Sequence, residues 1–278
     1  MSTSVLVVGQ YSLSFERANI LWNIIGLLTH LGAAEKRNSD ESIKLAAKHF
    51  QTANGVVTML KKELEAHPSA AATLDLTLDT LNLLSNITNA ESQECYYDLA
   101  HKGAKIPPDA ISKLAFQVSV FYQKAVTLID GSLKDSHLPR KWVNYCHLKQ
   151  LLFNAIAFYH LSQERLAAGA YGEQLSRLQS AQRQLALAQK ERYDKYVSEL
   201  TDFLNGWTSK VNGVYASANK DNSTIYFEPI PPESKLASLT GHVMARTVDP
   251  DPQRLTLSDD PFAKIVVTFL GLSIRNVA

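Results

Sequence analysis

Apolar residues recur along much of the chain at a three-four spacing, the mark of one buried face on an α-helix. The clearest run passes through Trp142, Tyr145, Leu148, Leu152, Ala155, Ile156 and Tyr159 and closes near Leu166. It resumes after Ala168-Gly169-Ala170 at Tyr171, Leu175, Leu178, Ala181, Leu185 and Ala188. Gly169 can take the left-handed conformation that helix ends often need. A helical hairpin is expected, with Ala155, Ala157, Ala181 and Ala188 permitting close packing. Large, small and aromatic residues alternate here much as in tetratricopeptide helix pairs. Such pairs build binding surfaces more often than active sites.

The same spacing predicts helices on either side. Ile20, Leu21, Ile24, Leu27, Leu28 and Leu31 make a first helix that is apolar on more than one side, with Ser14 as its N-cap. Asn38 and Glu41 form a capping pair for a second, whose stripe is Ile43, Ala46, Phe50, Ala53, Val57, Leu60 and Leu64, ended by Pro68. A third runs from about 71 to 100 with Leu74, Leu78, Leu81, Leu84 and Ile87 facing in. A fourth follows Pro107-Pro108 and carries Ile111, Leu114, Ala115, Val118, Phe121, Tyr122, Ala125 and Leu128 up to Gly131. A last helix from about 190 to 218 presents Tyr193, Val197, Leu200, Leu204, Trp207, Val211 and Tyr215. Before them all, Val5–Val8 is a short β-like run.

Proline usage then changes. Six of the ten prolines lie between Pro229 and Pro261, so the stretch from Asn222 to Asp260 cannot continue the last helix. It reads as an extended strap, either laid across the helices or mobile, with Ile225, Tyr226, Phe227, Ile230, Leu236 and Leu239 as apolar anchors. A short helix is expected from about Asp260.

Composition narrows the function classes. The 278 residues can bury a sizeable core, and 28 basic against 27 acidic side chains give no general attraction to nucleic acid or to an anionic membrane. Any charged site must be local. Cys95 and Cys146 suggest no disulfide framework and read as free thiols in a reducing compartment. The apolar run Ile265–Ile274 is too short to span a bilayer, and no secretory leader pattern opens the chain. Phosphate-cradling glycine loops, a Gly-x-Ser-x-Gly elbow and a His-x-x-x-His pair are all missing from the sequence. Neither an enzyme, a cofactor nor a metal site is expected.

Surface candidates remain. Asp40, Lys44 and Lys48 lie four apart beside the buried face of the second helix. They suit either a solvated ion-paired face, worth about a few tenths of a kcal/mol, or the polar edge of a site. Tyr96 and Tyr97 are adjacent, so at most one faces the core. A surface tyrosine beside exposed Ile111 or Leu114 would anchor a partner helix; the alternative is that all of them are core.

Five segments, taken together and in order, carry a family resemblance: Phe15–Asn23 (FERANILWN), Ile43–Phe50 (IKLAAKHF), Ala90–Cys95 (AESQEC), Tyr171–Gln179 (YGEQLSRLQ) and Asn219–Tyr226 (NKDNSTIY). They resemble the Bro-type domain of the Alix-like proteins. The resemblance implies an all-α, curved, solenoid-like domain with tetratricopeptide-like helix pairs and an extended C-terminal strap. It implies one partial domain over 1–278, with a helical core at about 14–220, a proline-rich strap at about 221–262 and an atypical end at 263–278. The chain begins inside the family's domain, which would leave the first helix exposed as a pairing surface.

In function, the resemblance implies a non-enzymatic, cytoplasmic adaptor recruited to endosomes. Its partner would be the C-terminal amphipathic helix of an ESCRT-III subunit, a charged multivesicular body protein. The family's site joins an acid and lysines on one helix to an aromatic and aliphatic residues on the next two. Asp40, Lys44 and Lys48 match the polar part, Tyr96 replaces a phenylalanine, and Leu114 matches an aliphatic. An extra residue near Pro107-Pro108 leaves Ala110 or Ile111 for the remaining position. Tyr226 resembles a tyrosine that is phosphorylated in some members. A rhophilin-like scaffold for a small GTPase or cytoskeletal partner is the alternative.

Overall fold

Helix starts are set by side chains that take up free N–H groups. The computed structural model describes residues 12–71, 73–103, 105–136, 138–190 and 198–250. The β-like run, Tyr193, Val197, the helix expected from Asp260 and the atypical end lie outside them. Helix α1 (Leu13–Ala34) is capped by Ser12, whose extended backbone lets its hydroxyl accept from Phe15 N–H at 3.5 Å. Ser14, the expected cap, is already inside the helix. Helix α2 (Asp40–Ala66) opens on a reciprocal pair, Ser42 N–H to Ser39 Oγ at 3.2 Å and Ser39 N–H to Ser42 Oγ at 3.1 Å. This displaces the expected Asn38–Glu41 pair, because the box closes on the residue three beyond the cap and Ser42 holds that place.

Helix α3 spans Leu78–Lys102, later than the spacing suggested. Two 3-10 turns, Pro68–Ala70 and Leu74–Leu76, reverse the chain, and Thr77 caps the helix by accepting from Thr80 N–H at 3.3 Å. Leu74 and Leu78 are therefore exposed, and Leu76 takes the core position instead. Helices α4 (Pro108–Asp130), α5 (Arg140–Ala167), α6 (Tyr171–Lys190) and α7 (Ser198–Asp221) follow. Gly169, at φ +71°, turns α5 into α6.

Each helix packs chiefly on its sequence neighbours, so the array is a ladder of helix pairs. The described residues up to Val248 belong to one compact unit. All seven stripe positions of α2 are buried. One apolar cluster, with Tyr97, Tyr122 and Phe153, joins α3 to α7, and a second, with Val57, Leu60 and Leu81, joins α1 to α2 and α3. Helix α1 buries Ala18, Leu21 and Ile25 but exposes Ile20, Leu27 and Leu31, so it is covered on one side only. Gly32 is needed there, since a Cβ would stand 2.8 Å from the Phe50 ring. Trp142 is also exposed: it sits in the first turn of α5 and joins no core cluster, whereas Val143 and Tyr145 do. Cys95 and Cys146 are buried free thiols, and burial pushes both up to about 12.

After a π-helical turn at Asn222–Tyr226 the chain becomes extended and runs over the helices. Of the expected apolar anchors Leu239 alone packs against a core cluster, which Ala245 of the strap also joins. Ile225, Tyr226, Phe227 and Ile230 are exposed, and Leu236 and Leu239 are only half-buried. Polar groups of the helices hold the rest of it. The Glu228 carboxylate accepts from Gly172 N–H at 2.7 Å, and Arg177 Nη2 donates to Ala237 O at 2.6 Å. His242 N–H donates to Lys113 O at 3.2 Å, and Val248 N–H to Gln51 O at 3.2 Å. The buried Gln93 amide takes three strap groups: Nε2 donates to His242 O at 2.9 Å, while Oε1 accepts from Met244 N–H at 2.8 Å and Ala245 N–H at 3.0 Å. Asn54 Nδ2 reaches Thr247 Oγ1 at 2.9 Å.

An extended chain outside a sheet leaves its peptide groups unpaired, and buried amides are what can satisfy them. Gln93→Leu should therefore cost about 2–3 kcal/mol in urea unfolding, from three lost bonds of roughly 1 kcal/mol each. A cost under about 0.5 kcal/mol would show that the strap is fastened elsewhere.

Candidate functional site

The strap passes from α6 to α2, and the residues expected at the partner site lie on α2, α3 and α4. From α2 come Asp40, Lys44 and Lys48, all exposed and four apart. Among the described residues none of the three joins an ion pair. From α3 comes Tyr96. It is half-buried, packs beside Ile43, Phe50 and Cys95, and accepts from Gln51 Nε2 at 2.8 Å through its hydroxyl. Tyr97 turns the other way into the core, edge-on to Phe153 at 5.4 Å.

From α4 come Ala110 and Leu114, both half-buried and one turn apart. Ile111 is 7% exposed and belongs to the core, so it is not part of this surface. The spacing left Ala110 and Ile111 open; packing buries Ile111 and leaves Ala110 half-buried. Gln93 ties α3 and α4 to the strap, with Nε2 at 3.5 Å from Leu114 O and the strap backbone on its other contacts. Val243 and Met244 are exposed on the strap there. Gln93 lies within the Ala90–Cys95 segment, but its hold on the strap is not legible there, because a glutamine inside a helix reads as surface.

Beneath the surface is a buried charge network. Lys149 Nζ on α5 donates to both Glu94 oxygens at 2.7 Å. Arg37, in the α1–α2 turn at φ +48°, reaches Glu91 at 3.3 Å, Glu94 at 3.5 Å and Asp98 at 3.3 Å. Tyr122 and Tyr145 hydroxyls both donate to Glu91 Oε1. Burial works to raise Glu91, but Lys149, Arg37 and the two hydroxyls prevail and hold it below the usual carboxylate range. For Glu94 and Asp98 burial wins and both are raised. The network fixes the α1–α2 turn, and hence the start of the Asp40–Lys48 stripe, against α3.

Tyr226 lies elsewhere, on α6 and α7. It is 41% exposed, and its ring stacks on Tyr171 at 3.5 Å and 10°. The structure does not bring it to the α2–α4 surface. Among the described residues no group of three or more His, Cys, Asp or Glu is placed to hold a metal, and no helix is long and apolar enough to cross a membrane. Tyr96, Ala110 and Leu114 are half-buried, and Lys44 and Lys48 exposed, on the packed helices α2, α3 and α4.

Comparison with known proteins gives this geometry a family. The chain is 29% identical over 256 residues to ALG-2 interacting protein X of Dictyostelium discoideum, covering 92% of this chain and 32% of that protein. It is 33% identical over 257 residues to Apoptosis-linked gene 2-interacting protein X 1 of Caenorhabditis elegans, covering 91% and 28%. It thus spans about a third of the length of these curated relatives. A solved structure described as an ALIX BRO1 CHMP4C complex superposes with a TM-score of 0.81 at 28% identity, covering 92% of this chain and 69% of that one. The family model described as BRO1-like domain matches residues 3–270, and the chain belongs to that family.

Proposed function

We propose that the chain is a non-enzymatic adaptor of endosomal sorting that docks the C-terminal amphipathic helix of an ESCRT-III subunit on the α2–α4 surface. The observation that carries this reading is the unpaired lysine stripe beside Tyr96, Ala110 and Leu114. The fold is similar to that of a BRO1 domain described in complex with CHMP4C, which supports the choice of partner. In this reading the apolar face of the partner helix covers Tyr96, Ala110 and Leu114, and its acidic edge meets Lys44 and Lys48. Asp40 orients the helix by repelling acid at one end. The adaptor works in the cytoplasm and reaches endosomes through its partner. In this reading the described helices and the strap act as one BRO1-like domain, with a core at about 14–220 and a strap from about 221.

A labelled peptide of the ESCRT-III C-terminal helix, titrated by fluorescence anisotropy, tests the reading. Leu114→Asp and Tyr96→Asp should each weaken binding tenfold or more, about 1.4 kcal/mol or above, with the helical circular dichroism unchanged. Lys44→Glu with Lys48→Glu should weaken it further at low salt than at high salt. Unchanged affinity in both aspartate variants would place the partner elsewhere.

A further inference from the structure

A second site is built where α5 ends, α6 begins and α7 runs into the π-helical turn. A cavity of about 210 Å³ opens there, room for one long side chain. Leu166, Val214 and Ala218 line it with apolar surface, and Tyr171 and Tyr226 add two aromatic rings. Two polar members of the lining are unpaired. Gln174 is 3% exposed, and its side-chain amide has no hydrogen-bond partner among the described residues. Asp221 is half-buried and is the one charged residue among those lining the cavity. It joins no ion pair among the described residues. The Tyr226 hydroxyl is raised above its ordinary range, first by its bond to Tyr171, then by the Tyr171 charge, by burial and by Asp221, so the Asp221 carboxylate stands near the two hydroxyls.

We propose that this cavity receives the guanidinium of an arginine side chain carried by a partner protein segment. A half-buried carboxylate without a counter-charge is costly, and a cation relieves that cost. The rest of the lining selects the cation. A metal ion needs several oxygen ligands, and here one carboxylate stands among apolar walls. A guanidinium is planar and weakly hydrated, so it can lie over a tyrosine face while its edge donates to Asp221 and to Gln174 Oε1. Tyr171 and Tyr226 stack nearly parallel at 3.5 Å, which sets two electron-rich faces together, and a cation over an outer face offsets their repulsion. Ile225 and Phe227, both exposed, flank Tyr226 in the chain and offer contact to apolar neighbours of the arginine. This favours a chain segment over free arginine, whose own carboxylate would meet Asp221. The cavity shares no residue with the α2–α4 surface, so the two readings stand or fall separately.

The test follows amide signals of the isotope-labelled full chain by nuclear magnetic resonance at fixed ionic strength. N-acetyl-arginine methylamide, its neutral citrulline analogue, its lysine analogue and free arginine are titrated in parallel. The Gln174 side-chain amide and the backbone N–H groups of Tyr171 and Tyr226 should shift saturably with the blocked arginine. Citrulline keeps the shape but loses the charge, and should bind about tenfold more weakly or worse. The lysine compound should also bind more weakly, since it lacks the planar fork. Asp221→Asn should weaken the arginine response about tenfold or more, and Tyr226→Leu about threefold, with the remaining signals unchanged as the check on folding. Equal binding of the citrulline or lysine compound, tighter binding of free arginine, or a response unaffected by both variants overturns the proposal.

Discussion

Lys149→Met is expected to destabilise the protein by about 3–5 kcal/mol, the range for removing one partner of a buried ion pair. Lys149 is 6% exposed and donates to both oxygens of Glu94. The substitution fills the same volume and strands carboxylates that burial already penalises. Arg37 alone would then face Glu91, Glu94 and Asp98, all within 3.5 Å of it. A second change, Glu94→Gln in the Lys149→Met background, should recover a large part of the loss, because it removes the stranded charge rather than a contact. Urea unfolding of the four members of this cycle checks the argument. If Lys149→Met alone costs less than about 1 kcal/mol, the pair is not desolvated as described.

Acid should destabilise the protein through His160. This ring is 6% exposed, its Nε2 has no partner, and it packs among Tyr97 at 6.0 Å, His101 at 5.2 Å, Tyr159 at 5.4 Å and Trp207 at 6.0 Å. The Lys210 ammonium already sits 4.6 Å from the Trp207 ring and 4.8 Å from Tyr159. Burial, then the nearby His101 and Lys210, lower His160 from 6.5 to about 3. The unfolded chain therefore takes up a proton near pH 6.5 that the folded chain refuses until about 3, so stability falls as pH falls through that window.

Between roughly pH 7 and pH 5 the loss from this one group is about 2 kcal/mol. Glu91, held low, adds to the loss below the carboxylate range, whereas Glu94 and Asp98, held high, oppose it. The histidine contribution is isolated as the difference between the native chain and His160→Phe, which keeps a ring and removes the titration. Parallel stability–pH curves for the two proteins would refute the assignment.

Local pattern determined a good deal of this molecule. The α2 stripe from Ile43 to Leu64 is buried at every expected position, and the α5–α6 hairpin turns at Gly169 as read. Both follow from a period set by helix geometry, which neighbouring residues express without help from the rest of the chain. The same logic failed where the pattern was uninformative. Helix α1 is apolar nearly all round, so no face is marked, and its covered side depends on what α2 and α3 offer. Leu74 and Leu78 share the period of α3, yet Thr77 caps the helix between them and leaves both outside.

What tertiary structure alone decided is mostly polar. Gln93 and Asn54 read as ordinary surface residues, and they fasten a strap about 150 to 193 positions away in sequence. Glu94 and Lys149 read as solvated charges until α3 and α5, 55 residues apart, bring them together in a dry interior. The choices between Tyr96 and Tyr97 and between Ala110 and Ile111 are of the same kind. Each asks which side of a helix a neighbour covers, and a one-dimensional pattern holds no information on that. Hydrophobic periodicity is a property of adjacent turns, so the sequence declares it; the partner of a buried amide or charge is a property of distant segments, and only the packed array supplies it.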